Sequence, residues 1–155
     1  MLSVTWLGKE ELVVKFAKMN EAIHTKILQF ITGFALKLQA HVTGDKLQGQ
    51  VLNHISGKLA ASIHQSVDDQ GNVIIGRVYS ASINYAAIHE YGGQIPDREP
   101  VNAKAMHWMN GGADVFAKFA KGFTMPERSY LRSSLADYES DFIDGAKAAV
   151  MEGVQ

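Results

Sequence analysis

The feature that most constrains the fold is one long run of apolar residues, spaced three and four apart, near the N-terminus. Its members are Leu12, Phe16, Met19, Ile23, Ile27, Phe30, Phe34 and Leu38. This spacing places them on one face of an α-helix. Roughly 30 residues give a helix of about 45 Å, whereas a chain of this length folds into a body only about 40 Å across. The helix must therefore cross the whole domain, bend at Gly33, or project towards a partner.

Four later segments with alternating or β-branched residues predict two antiparallel hairpins. Their ranges are 63–67 and 73–79 for the first hairpin, and 105–109 and 115–121 for the second. The turns at 68–72 and 110–112 contain glycine, which supplies the positive φ that hairpin connections need. A weaker alternation over 2–7, stopped by Gly8, predicts a short strand at the sheet edge.

Two further helices are predicted in the second half of the chain. Asn84 is placed to cap a short helix over 85–91, which ends at the glycine pair 92–93. After Pro126, which suits a first helical turn, apolar residues again step by three or four. These residues are Leu131, Leu135, Tyr138, Phe142, Ala146 and Ala149. They predict a C-terminal helix with one apolar face.

Together these elements predict a single α+β domain over residues 1–155. An antiparallel sheet of about four strands, made of the two hairpins, is packed by the long N-terminal helix and by the C-terminal helix. We expect flexible loops at 43–58 and 94–104, which would become ordered on docking to a partner.

The composition excludes several classes of function. The 155 residues include no Cys, which excludes disulfide frameworks, thiolate zinc sites and cysteine nucleophiles. Because 15 Lys and Arg residues are balanced by 16 Asp and Glu residues, the chain lacks the basic excess of a dedicated nucleic-acid binder. The longest uncharged stretch of the first helix, 27–36, is far shorter than the ~20 apolar residues of a membrane span. No membrane partner is expected.

Charge is divided unevenly between the two long helices. Residues 9–41 contain five Lys and three Glu, whereas residues 127–152 contain six acidic and three basic residues. Solvated helix faces are the favoured explanation. Packing of the two helices against each other, or head-to-tail contacts between copies, are the alternatives.

The sequence contains no complete catalytic or metal-binding motif. Residues 44–49 have the glycine spacing of a phosphate-binding loop, but Gln and Val follow where Lys and Ser or Thr are required. His89 and Glu90 begin like a zinc-protease helix, but Gly93 stands in place of the second His. The six His have no metal-ligand spacing, and no G-x-S-x-G is present. We expect no enzyme, no metal and no cofactor; catalysis by His89 and Glu90 is the last alternative.

Aromatic and basic residues alternate in one stretch, which leaves a second class of function open. Phe116, Lys118, Phe119 and Lys121 lie on a predicted strand within the basic segment 104–121. Such a strand could stack and neutralise nucleic acid. A sheet with one wet face is the favoured interpretation, and a small nucleic-acid-binding protein remains the alternative.

Several short motifs in order resemble one family. Besides the long first helix, they are Ile-Ser-Gly-Lys-Leu-Ala-Ala-Ser-Ile at 55–63, Tyr-Ala-Ala-Ile-His-Glu-Tyr-Gly-Gly at 85–93, and Met-Pro-Glu-Arg-Ser-Tyr-Leu-Arg at 125–132, preceded by Val-Phe-Ala-Lys at 115–118. They are similar to motifs of the head–tail joining and tail-completion proteins of long-tailed bacteriophages, often grouped as virion morphogenesis proteins. Ser56 and Ser129 depart from the usual Thr and Pro of the family.

The resemblance implies a structural role for the motif residues. The residues expected to form the family motif and a subunit interface are Gly57, Leu59, Tyr85, His89, Glu90, Tyr91, Gly92, Gly93, Pro126, Arg128, Tyr130 and Leu131. In the short helix, Tyr85, Ile88 and Tyr91 are expected to pack against the sheet. Arg128 is expected to pair with Glu90 or to reach a neighbouring subunit.

The resemblance also implies a function in assembly. It implies a structural protein of the virion neck or upper tail, made in the host cytoplasm, which forms a homo-oligomeric ring, expected to be a hexamer. This ring would complete the tail and join it to the head. Its other partners would be the neighbouring connector and the tail-tube or terminator proteins, with DNA at most passing through the ring lumen. A tail terminator ring, which stops growth of the tail tube, is the alternative within this class.

Overall fold

The computed structural model describes residues 9–53 and 56–155. The strand predicted at 2–7, and the first residue of the motif at 55–63, lie outside these residues. None of the described helices is long and apolar enough to cross a membrane.

The described chain forms two compact units. The first unit contains the chain up to Ser82 together with Tyr130–Gln155, and the second contains Ile83–Ser129. Two compact units can belong to one domain or to two, so the single domain over 1–155 stays a prediction.

The helices and strands are numbered in chain order. They are α1 (Lys9–His41), a π-helical turn (Val42–Lys46), α2 (Lys58–Ala61), β1 (Ile63–Asp69), β2 (Ile74–Ser80), α3 (Ala86–Tyr91), β3 (Gly93–Ile95), β4 (Met106–Asn110), β5 (Ala113–Ala117), β6 (Phe123–Met125), α4 (Leu131–Asp137) and α5 (Glu139–Val154).

Helix α1 confirms the long helix predicted from the apolar spacing. It spans 33 residues and continues through Gly33 without interruption. A Cβ atom at Gly33 would have no neighbour within 4 Å, so packing does not require glycine at this position.

Helices α1 and α5 pack closely because small residues line the contact. Gly145, Ala149 and Gly153 recur every four residues on one face of α5. A Cβ atom at Gly153 would lie 2.8 Å from the backbone N of Ile23, and one at Gly145 would lie 2.8 Å from Cζ of Phe30. A larger side chain at Gly153 would push the helices apart because it meets the backbone of α1, whereas one at Gly145 would displace the ring of Phe30.

Aromatic rings fill the contact next to this close approach. The ring centroid of Phe142 lies 5.6 Å from that of Phe30 and 5.0 Å from that of Phe34. Tyr138 contacts Phe34 edge-on, with the ring centroids 6.3 Å apart. These distances lie within the range in which aromatic pairs attract each other beyond their buried area.

The opposite charges of the two helices pair within the chain. Lys26 Nζ lies 3.2 Å from Glu152 Oε2, and Lys37 Nζ lies 3.0 Å from Asp141 Oδ2. These two pairs support the packing alternative, while their side chains remain solvated as the favoured interpretation expects. Both pairs are exposed, so they specify the antiparallel register more than they stabilise the fold.

The β1–β2 hairpin lies along α1. Its strands pair antiparallel over seven residues each, as the sequence predicted. The side-chain amide of Gln39 donates to the carbonyl oxygen of Ile63 at 2.8 Å. At the other end of the strand, Nε2 of His24 lies 3.0 Å from Oδ1 of Asp69. Two polar contacts, one at each end of β1, thus hold the hairpin on the helix.

The core of the first unit includes residues from the segment predicted as a loop. Its buried apolar residues are Val42, Leu47, Leu52, Ile63 and Tyr130. Leu47 and Leu52 lie within 43–58, where the sequence shows no helical or strand period. The segment packs through a π-helical turn and a bridge between Gln48 and Asn53 instead.

The second unit contains two short antiparallel ladders and α3. β4 and β5 form the second predicted hairpin, and β3 pairs with β6. An isolated bridge joins Arg98 to Ala120. The β3–β6 ladder was not predicted, because each of its strands has only three residues and they are distant in sequence.

The fold class is α+β, as predicted, with a long N-terminal helix, a C-terminal helix and antiparallel hairpins. Among the described residues the strands form three separate two-stranded ladders, β1–β2, β3–β6 and β4–β5, instead of one four-stranded sheet.

Candidate functional site

Two of the sequence motifs meet at the end of α3. The backbone N–H of Arg128 donates to the carbonyl oxygen of His89 at 2.9 Å. Next to it, the Ser129 hydroxyl donates to Oε1 of Glu90 at 2.9 Å. The motif at 85–93 and residues 125–129 of the later motif are therefore two sides of one joint in the second unit.

The buried face of α3 is the opposite of the predicted one. Ala86 and Glu90, one turn apart, are 8% and 2% exposed. Tyr85 and Tyr91 are 41% and 63% exposed, so they do not pack the helix as predicted, whereas Ile88 is half-buried. A six-residue helix has too few positions for its apolar period to identify the buried face.

Two predicted helix-end signals act differently in the structure. Tyr85, not Asn84, occupies the N-cap position of α3, and no side chain caps the helix there. Pro126 follows strand β6, while α4 begins only at Leu131, so Pro126 is not in a first helical turn. Both assignments placed the helix start too early in the sequence.

Gly92 is required by the shape of this joint. Its φ is +67° and its ψ is −171°, a conformation that residues with a side chain rarely adopt. A Cβ atom would lie 2.7 Å from the backbone N of Glu127 and 2.8 Å from the carbonyl oxygen of Met125. The neighbouring Gly93 has a φ of +144° and starts the β3–β6 ladder opposite Met125.

His89 and Arg128 are electrostatically coupled. Burial lowers the pKa of His89, and the positive charge of Arg128 lowers it further. Nδ1 of His89 is buried without a hydrogen-bond partner among the described residues. The neutral imidazole is the form that this environment favours. Pairing of the Arg128 side chain with Glu90 stays a prediction.

The remaining motif residues belong to the first unit. Gly57, with a φ of +69°, is the N-cap of α2, and Leu59 in that helix packs against the core. Tyr130 is fully buried in the same core, and Leu131 packs against it. The twelve predicted site residues thus form two groups, one around α3 and one in the core of the first unit. Their role as a subunit interface stays a prediction.

One charged cluster has no counterpart in the sequence analysis. Nδ1 of His41 lies 2.6 Å from Oδ2 of Asp45, and Nε2 lies 3.1 Å from Oδ2 of Asp137. Nζ of Lys46 lies 2.6 Å from the same Asp137 oxygen. Hydrogen bonds from Lys46 and His41 lower the pKa of Asp137. The cluster ties α1 and the π-helical turn to α4, a contact between residues too distant in sequence to predict.

The aromatic and basic stretch is only partly a strand. β5 ends at Ala117, so Lys118, Phe119 and Lys121 follow the strand instead of lying on it. The side chains of Phe116 and Phe119 are 69% and 51% exposed. The strand predicted over 115–121 is therefore wrong beyond Ala117.

Among the side chains that the structure describes, at 20–53 and 56–155, no group of three or more His, Asp or Glu is arranged to hold a metal ion. In the joint around α3, two chain segments are held together by the buried Glu90 carboxylate, by the backbone carbonyl of His89 and by the close approach at Gly92.

Comparison with known proteins identifies the group to which these motifs belong. A family model described as the phage virion morphogenesis family matches residues 33–146. This range includes the motif residues of both groups. No curated protein and no solved structure matches the chain. Because the family model covers well over half of the chain, the protein belongs to the phage virion morphogenesis family, whose members act in the structure and assembly of the virion.

Proposed function

We propose that this protein forms a ring in the neck or upper tail of the virion, which completes the tail and joins it to the head. The observation that carries the proposal is the family match over 33–146, which extends through both compact units. The motif residues within it build the joint around α3 and the core of the first unit. These residues stabilise the fold of the subunit, and the function that we propose is assembly of the virion.

The exposed apolar side chains support an assembly role. Tyr91, Met109 and Phe116 in the second unit are 63%, 61% and 69% exposed, and Met151 in the first unit is 63% exposed. Scattered single apolar residues are normal on a protein surface, but Met109 and Phe116 lie on the same face of the β4–β5 hairpin, and grouped apolar residues are typical of surfaces that a partner covers. A ring subunit needs at least two such surfaces, one for each neighbour.

Deletion of the gene from the phage tests the proposal. We expect filled heads and finished tails that remain separate in negative-stain electron micrographs, and complementation from a plasmid should restore joined virions. Tails of abnormal length would instead indicate the tail terminator. Normal virions from the deletion phage would refute a role in either ring.

The native mass of the purified protein, measured by sedimentation together with negative-stain images, tests the ring directly. A closed ring with a central hole would give the subunit number, for which we expect six. A ring with another number of subunits would keep the role and correct the stoichiometry.

A further inference from the structure

An open apolar groove runs along the first unit. It is a cavity of about 660 Å³ between α1, β2 and α4. Ile31, Phe34, Ile74 and Val78 are among the residues that line it. Leu135 of α4 also lines it and remains 53% exposed, so the groove has the character of a core that one more element would complete.

The second unit carries a hairpin whose exposed apolar side chains could fill such a groove. The β4–β5 hairpin, which we call the arm, has two faces that follow from its register. On one face, Met109 and Phe116 are 61% and 69% exposed. The ring of Phe116 stacks on that of His107 at 4.6 Å, and Nε2 of His107 lies 2.6 Å from Oδ1 of Asp114.

The exposed face of the arm is therefore ordered but uncovered. A two-stranded hairpin is marginally stable in water unless its apolar face is packed. The stacking of Phe116 on His107 favours one orientation of the aromatic ring. A rigid aromatic side chain loses little conformational freedom on binding, which suits it as an anchor.

Opposite charges at the groove and beside the arm indicate that the arm is the occupant of the groove. Two charged residues, Arg132 and Glu139, line the groove. Arg132 already has an interaction partner, whereas Glu139 is exposed and forms no ion pair among the described residues. Lys118 directly follows β5, is also exposed, and is likewise without an ion pair in the described chain. An apolar groove with a free acid fits an apolar arm with a free base, and the same chain supplies both.

We propose that the arm of one copy docks into the groove of the next copy, with Phe116 and Met109 over Leu135, and with Lys118 near Glu139. The two surfaces are different, so the contact is head-to-tail. Contacts of this kind close into rings when the rotation between subunits allows it. This inference rests on the proposed ring and names its subunit contact.

Cross-linking between two single-cysteine variants tests the contact. The natural chain has no Cys, so Met109→Cys on the arm and Leu135→Cys in the groove each introduce one defined thiol. The two variants are mixed and treated with a short bismaleimide. A matched control replaces the arm thiol with Val101→Cys, which is 92% exposed in the same unit but outside the arm.

We expect the arm and groove thiols to cross-link at least tenfold more than the control pair. Phe116→Glu added to the arm variant should abolish the difference. Lys118→Glu should weaken it, and Glu139→Lys in the groove variant should restore it. Since all three side chains are exposed, circular dichroism should show unchanged folding. Equal cross-linking of the arm and control pairs, or cross-linking that survives Phe116→Glu, would overturn the proposed contact.

Complementation separates this inference from the proposed function. If the deletion phage makes no joined virions but Phe116→Glu restores them fully, the ring function stands and the arm–groove contact is wrong. If Phe116→Glu fails to complement and copies do not cross-link, the arm serves another virion protein, and the contact between copies is again wrong. Normal virions from the deletion phage refute the proposed function itself.

Discussion

Replacement of Gly92 by Ala tests whether the joint around α3 is as tight as the structure shows. An alanine at this position would have to adopt the backbone conformation of Gly92, which costs a residue with a side chain about 1–3 kcal/mol. Its Cβ would also approach the backbone N of Glu127 to 2.7 Å, an overlap that no side-chain rotation relieves. Forcing such an overlap in a packed region costs about 1–3 kcal/mol more. We therefore expect a loss of about 4 kcal/mol in the free energy of unfolding.

Gly111 offers a matched control for this substitution. It has a similar φ of +58°, but a Cβ atom there would meet nothing within 4 Å. Gly111→Ala should therefore cost only the left-handed backbone strain, about 1–2 kcal/mol. Urea titrations followed by far-UV circular dichroism compare the two variants. If Gly92→Ala costs no more than Gly111→Ala, the close approach of the two motif segments is wrong.

Three further predictions concern the helix contact and the titrating groups. Gly153→Ala should destabilise the fold by about 1–3 kcal/mol, because its Cβ overlaps the backbone of α1; Gly33→Ala should stabilise it by about 0.5–1 kcal/mol. The reverse order in thermal melts would refute the α1–α5 packing. The pKa of Asp137 is lowered, so its contribution is present at neutral pH and is lost as the pH falls below about 4. The urea midpoints of wild type and Asp137→Asn should therefore differ at pH 7 and converge in acid; a constant difference would contradict the assignment. The pKa of His89 is lowered by burial and by Arg128, so Arg128→Gln should raise it in an NMR titration, and no change would show that the two groups are not coupled.

The parts of the fold that the sequence predicted are those with a long, regular period. α1 repeats its apolar spacing from Leu12 to Leu38, and the two hairpins have alternating strands around glycine turns, so local chemistry was sufficient. The core residues Leu47 and Leu52 lie in a segment without a period, because an irregular turn places them. Their burial depends on contacts with residues far away in the chain, which a local pattern does not encode.

The sequence predicted which residues form the candidate site, but it predicted their burial and contacts only in part. The motif residues were identified by resemblance, and the structure brings the segments at 85–93 and 125–129 together. The burial of Glu90 in place of Tyr91 could not be inferred, because hydrophobicity favours the tyrosine in any short helix. The buried carboxylate of Glu90 is tolerated because Ser129, 39 residues away in the sequence, donates a hydrogen bond to it.

The pairing of α1 with α5 has a consequence for the synthesis of the protein. Lys37 and Asp141, which pair across the two helices, are 104 residues apart in sequence. At a translation rate of about 5–20 residues per second, α1 would wait roughly 5–20 s on the ribosome before α5 emerges. During that interval the apolar face of a 33-residue helix has no α5 to cover it. The nascent chain therefore exposes, for this interval, the apolar surface of α1 that α5 later covers, and transiently exposed surface of this kind is what chaperones bind.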